Sequence, residues 1–145
     1  RLVVAHDGSL RSTLEARAQA LGLAERVSFT GRLDAASQAV MYERARWYLS
    51  LPRSDSVSVS VLEAMAHGCV PLLSDLPANR ELVAHGDNGW ILADGALPSV
   101  TDLGGLRERA DRIGDHNRQW VSEHALFPQA VDLFVQRLKA LSTSR

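Results

Sequence analysis

The feature that most constrains this chain is an alternation. Short apolar runs at Leu2–Ala5, Val27–Thr30, Trp47–Leu51, Val70–Ser74 and Trp90–Leu92 take turns with stretches of helical spacing. Strands that alternate with helices predict a parallel sheet covered on both faces, an α/β doubly wound fold. Leu2 to Ala5 reads as a buried strand. Leu10, Leu14, Ala18 and Leu21 predict one helix, with Gly22 as its stop. Asp34 is placed to cap a second helix carrying Ala36, Val40 and Met41. Pro71 belongs near the start of its strand or on an irregular edge. Residues 1–93 form the predicted core and residues 94–145 a helical tail, with Pro128 in the first turn of its last helix. Residues 142–145 are expected to fray. The whole reads as one domain. Ligands of such sheets bind at the carboxyl ends of the strands. The turns at His6–Ser9, Gly31–Leu33, Pro52–Ser60 and Ser74–Pro77 should therefore share one edge.

Composition narrows the function. The chain has 145 residues and a net charge of −1, which gives no bulk attraction for nucleic acid. Cys69 is its one cysteine, so an internal disulfide and a cysteine-rich zinc site are excluded. A reducing, cytoplasmic setting is the expectation. No apolar run reaches the length of a transmembrane segment. The first residues enter an apolar run without an initiator methionine, so a piece of a longer protein is expected.

The chemistry concentrates between Ser54 and Pro71. A loop of small polar residues runs into a short apolar helix, and Gly68 marks the stop of that helix. A loop feeding a helix start offers unpaired N–H groups and a positive dipole end, which suits a phosphate. Asp55 and Glu63, eight positions apart, are acceptors that suit hydroxyl-rich ligands. A plainer reading stands beside this one. Ser60 and Glu63 fit the S-x-x-E capping box, which would only start the helix.

Other candidates are weaker. Among the five histidines, His6 lies in a strand-end loop, whose edge location makes it a candidate for chemistry, and His67 lies at a helix end, where a structural role is expected. His85, His116 and His124 read as surface residues. No histidine pair has metal-ligand spacing, so no metal is implied. The serines from Ser54 to Ser60 lack an adjacent base and a G-x-S-x-G elbow, which argues against a serine nucleophile. Neither G-x-G-x-x-G nor a Walker A sequence occurs. Arg32, taken alone, reads as a solvent-facing charge. Asn88-Gly89 reads as a tight turn. Glu81 either caps its own short helix or reaches the shared edge.

Five segments in register carry a resemblance. They are Val27-Ser28-Phe29-Thr30-Gly31, Trp47-Tyr48-Leu49-Ser50-Leu51-Pro52, Leu62-Glu63-Ala64-Met65-Ala66-His67-Gly68-Cys69-Val70-Pro71, Asn79-Arg80-Glu81-Leu82-Val83 and Gly86-Asp87-Asn88-Gly89. Together they resemble the C-terminal, donor-binding domain of a GT-B glycosyltransferase of retaining family four. The resemblance implies a Rossmann-like half of a GT-B fold and transfer of a sugar from a nucleotide diphosphate sugar to an acceptor. It implies that Glu63 binds the ribose. Asp55, where the family usually has Glu, would orient the donor sugar. The backbone of Ser56, Val57, Ser58 and Val59 would meet sugar and phosphate, and Gly31 and Arg32 would face the nucleobase. No cofactor or metal is implied, the donor being a substrate. The acceptor-binding N-terminal domain and a basic pair for the diphosphate would lie upstream. The apolar face from Val131 to Leu141 would pack on that domain, and peripheral membrane contact of the full protein is compatible. Two alternatives remain at this point: a receiver-like regulatory module that binds phosphate, and a nucleotide-sugar epimerase of the same fold.

Overall fold

A computed structural model describes residues 1–93, 96 and 98–143. Of the loop expected at residues 94–100, Asp94, Gly95 and Leu97 lie outside the described residues, as do Ser144 and Arg145 of the expected frayed end. The elements are β1 (Leu2–Val4), α1 (Arg11–Ala20), β2 (Val27–Phe29), α2 (Ala35–Arg44), β3 (Trp47–Ser50), α3 (Val59–Ala66), β4 (Val70–Ser74), α4 (Pro77–Leu82), β5 (Trp90–Leu92), α5 (Val100–Glu108), α6 (Ala110–His124) and α7 (Phe127–Thr143). All strand pairing is parallel, in two ladders: β1 with β2, and β3–β4–β5 with β4 central. Two compact units divide the chain at Met41 and Tyr42, inside α2.

In the first unit, Leu2 pairs with Val27 and Val4 with Phe29. Gly22 takes φ +68° and ends α1, as its position predicts. Asp34 accepts a 2.7 Å hydrogen bond from the Ser37 N–H and so caps α2. That bond holds the Asp34 carboxyl below its ordinary range. The apolar stripe is the departure. Leu10, Leu14 and Leu21 stay exposed and only Ala18 is buried on α1. Leu2 and Val3 are exposed too, so β1 is not the buried strand that its apolar run predicts.

The second unit holds the core. β4 is covered on both faces, which is why it reads as a continuous apolar run. Leu73 packs with Val61 and Met65 of α3 and Val121 of α6, while Val70 and Leu72 join Leu106, Ala110 and Ile113. Pro71 sits one residue into the central strand, before the pairing with β5 that starts at Leu72. A missing N–H is tolerated at that entry. Asn117, fully buried on α6, donates to the Cys69 and Asn88 carbonyls. It thereby ties the start of β4 to the turn before β5. That turn is more than a surface loop. Asn88 is itself buried, donates to the Leu82 carbonyl and accepts from the Ala84 N–H. A Cβ at Gly89 would stand 2.7 Å from the Pro71 carbonyl oxygen, so the backbones need glycine there.

The tail is helical, as expected, with one unpredicted break at Arg109 between α5 and α6. A full capping box of Ser99 and Asp102 starts α5 and offsets the weak helix propensity of Gly104 and Gly105. Pro128 falls in the first turn of α7. Phe127, Phe134 and Leu138 of that helix are exposed.

Candidate functional site

Within the second unit the loops after β3 and β4 leave the same edge of a parallel ladder. The loop after β3 enters α3, whose N-cap residue is Ser58, in an extended conformation. Ser60 is therefore the second helical residue and not the cap, so the Ser60–Glu63 capping box does not form. Nor does the Ser58 side chain cap the helix. The Val61 and Leu62 N–H groups bond to the Ser58 carbonyl. The Val59 and Ser60 N–H groups meet no acceptor among the described residues. The helix thus presents two open donors at its positive end.

The two acids differ in support. Glu63 is exposed on α3, and the Tyr42 hydroxyl donates to its Oε2 at 3.5 Å. Tyr42 is buried and lies edge-on to Tyr48, 5.9 Å between ring centres. Asp55 is exposed in the loop, where its Oδ1 accepts from the Ser56 N–H at 2.8 Å. A buried tyrosine thus backs one carboxylate, while a loop backbone holds the other. Ser56 and Val57 are exposed beside Asp55, and Ser58 is half-buried.

Gly31 and Arg32 belong to the first unit. Gly31 is buried with φ +73° directly after β2, and Arg32 is exposed. Arg11 of α1 donates to the Phe29 carbonyl at 3.0 Å and steadies the exit of β2.

Two features escaped the sequence reading. Tyr48, a strand residue by pattern, donates at 2.9 Å to the Ser60 hydroxyl, which is in turn 2.9 Å from the Ser58 hydroxyl. A phenol in a half-buried strand needs such a partner, and that need is the signal the sequence carries. Arg80 and Asp75 form a two-bond ion pair at the loop after β4. This pair holds the Asp75 carboxyl below its ordinary range.

His67 ends α3, with its ring 5.7 Å from that of Tyr42, and its carbonyl accepts from Arg118. Cys69 is fully buried, and burial pushes its thiol up to about 11, against a smaller opposing effect of the Arg118 charge. A thiol so placed is a poor nucleophile. No group of three metal-ligating side chains is found among the described residues. A cleft of about 320 Å³ opens beside Arg46, Gly68 and Asp111. Arg46 and Gly68 precede β3 and β4, so it lies at the opposite edge from the loops. Two of its arginines are already paired, Arg46 with Asp111 and Arg118 with Asp115. The loop edge, not this cleft, has open donors beside a supported carboxylate.

The chain is similar to several known proteins. The chain is 33% identical over 88 residues to the phosphatidyl-myo-inositol mannosyltransferase of Mycobacterium leprae. It is 30% identical over 84 residues to the alpha-monoglucosyldiacylglycerol synthase of Streptococcus pneumoniae. These matches cover 59% and 58% of this chain but only 23% and 19% of the relatives. Among solved structures, Anabaena HepE in complex with UDP superposes with a TM-score of 0.73 at 20% identity, over 90% of this chain and 36% of that one. The C-terminal domain of LpcC, a glycosyl transferase group 1 family protein from Francisella tularensis, gives 0.67 at 18% identity, over 81% of this chain and 63% of that one. These likenesses establish a Rossmann-like α/β fold. No helix among the described residues is long and apolar enough to cross a membrane. Residues 1–103, more than half of the chain, match the family described as glycosyl transferases group 1, and the chain belongs to that family.

Proposed function

We propose that the protein carrying this chain is a retaining glycosyltransferase and that these residues hold its nucleotide diphosphate sugar donor. The observation that carries the reading is the start of α3. Two open N–H groups, Val59 and Ser60, stand one turn before the exposed Glu63, with Tyr42 behind its carboxylate. Open donors at a helix start suit a diphosphate. A carboxylate suits the paired hydroxyls of a ribose.

In this reading Glu63 accepts from the ribose hydroxyls. The backbone of Ser56, Val57, Ser58 and Val59 lies along sugar and phosphate, and Asp55 orients the sugar. As the bond from sugar to diphosphate breaks, negative charge grows on the leaving phosphate. The helix end and its N–H groups stabilise that charge without moving, an electrostatic contribution. Operation without a metal, a cytoplasmic location and an acceptor-binding domain outside these 145 residues belong to the same proposal. Peripheral membrane contact does too, since two relatives are named for diacylglycerol and phosphatidyl-inositol compounds.

Calorimetry with uridine and guanosine diphosphates on the complete natural protein tests this. Glu63→Ala is expected to weaken binding by roughly 1.5–3 kcal/mol, the range for hydrogen bonds to a charged group. Unchanged affinity would remove Glu63 from the ribose.

A further inference from the structure

A serine at the N-cap ordinarily turns its hydroxyl back onto the N–H of the second or third helical residue. Ser58 does not. Its Oγ lies 2.9 Å from the Ser60 Oγ, and the Ser60 Oγ accepts from the Tyr48 phenol at 2.9 Å. We propose that Tyr48 is a positioning residue: through Ser60 it holds the Ser58 hydroxyl away from the helix and keeps the α3 N–H groups open to the donor diphosphate. The proposal rests on the donor reading above and adds the device that keeps the site vacant for its ligand.

Tyr48 is anchored at both ends of its side chain. Its ring packs against the core of the second unit and edge-on to Tyr42, and its hydroxyl reaches only as far as Ser60. A serine in the first turn of a helix has a competing choice, solvent, because the residue four back, here Ser56, lies before the helix. The Tyr48 phenol decides that competition by giving Ser60 a better placed partner. Ser60 in turn occupies the Ser58 hydroxyl. Without the phenol, Ser60 is free to turn to solvent, and Ser58 is free to cap the Ser60 N–H. The helix would then gain a cap and the diphosphate would lose a donor. Stability and binding are therefore expected to move in opposite directions, which a merely structural tyrosine would not produce.

The test uses Tyr48→Phe in the complete natural protein, since it removes the hydroxyl and keeps the ring. Affinity for uridine or guanosine diphosphate is expected to fall about fivefold, the worth of one serine cap. Affinity for the bare nucleosides, followed by ligand-observed NMR, should stay unchanged because the ribose is met by Glu63. The thermal midpoint should hold or rise. Adding Ser58→Ala to Tyr48→Phe removes the competing cap and should restore diphosphate affinity. An equal loss for nucleoside and diphosphate, a failure of Ser58→Ala to restore binding, or no loss at all overturns the relay. If the unaltered protein binds neither diphosphate, the donor reading itself falls and takes the relay with it. Normal binding that Tyr48→Phe leaves untouched defeats the relay alone.

Discussion

Two helices that follow strands in this chain carry comparable apolar spacing and meet different fates. Leu10 at the N-cap of α1 and Leu14 within it are 64% and 48% exposed. On α3, Val61 and Met65 are 1% and 0% exposed. The difference lies in what the strands beside them provide. β4 is paired on both edges and presents Leu73 directly to α3. Within its own unit β1 has one paired neighbour, and α1 buries only Ala18. Hydrophobic periodicity states which face a helix would bury, but not whether a partner is there to bury it. The candidate site sits on the better supported of the two helices, as a site needing fixed N–H groups requires.

The sharpest way to break this contrast is to hollow both helices' surroundings. Leu73→Ala is expected to cost about 2–5 kcal/mol of unfolding free energy, because its cavity lies in a packed core. Leu14→Ala should stay within about 0.5 kcal/mol. Urea denaturation of the two variants compares them, and a large loss at Leu14 would show that the exposed stripe is covered in solution. A smaller contrast compares the glycines that end the two helices. Gly22 and Gly68 both take positive φ. A Cβ at Gly22 meets open space, whereas at Gly68 it would run into the Arg118 guanidinium. Gly22→Ala should cost about 1 kcal/mol in backbone strain. Gly68→Ala should cost about 2 kcal/mol, because Arg118 must also give up its bond to the His67 carbonyl. Thermal melts resolve that gap.

The smallest effect is chemical. Cys69, with its thiol raised from 9.0 to about 11, should resist Ellman's reagent at pH 8 in the folded protein. A cysteine introduced by Leu14→Cys should react at the rate of an ordinary exposed thiol. The folded-state value lies above the unfolded one, and here the neutral thiol is the form that folding favours. Its contribution to stability is therefore whole below about pH 9 and is lost as pH climbs from 9.0 toward about 11. Rapid labelling of Cys69 at pH 8 would show that the second unit opens more readily than its packing implies.

Much of the architecture was legible in the residues. Five short apolar runs separated by helical spacing determined the parallel strands, and Gly22 and Gly68 marked helix ends because few other residues accept positive φ. The same local rules misjudged Ser60. S-x-x-E describes a capping box, yet the helix starts two residues earlier than that motif requires. The Ser60 hydroxyl meets instead the Tyr48 phenol, twelve positions away in sequence and 2.9 Å away in space. Asn88 tells a similar story. It reads as a turn residue, and only the packing of Asn117 against it makes it an interior one.

What the sequence determined by itself was the order of elements, the edge on which loops of a ladder gather, and the presence of Asp55 in the loop after β3 and of Glu63 in the helix that follows it. Those follow from period, glycine placement and strand direction, which are local. Tertiary structure decided which helix is buried, which carboxylate has a tyrosine behind it, and where the Ser58 hydroxyl goes. Each of those depends on a partner distant in the chain, and no local pattern encodes the side chain that a fold brings into contact.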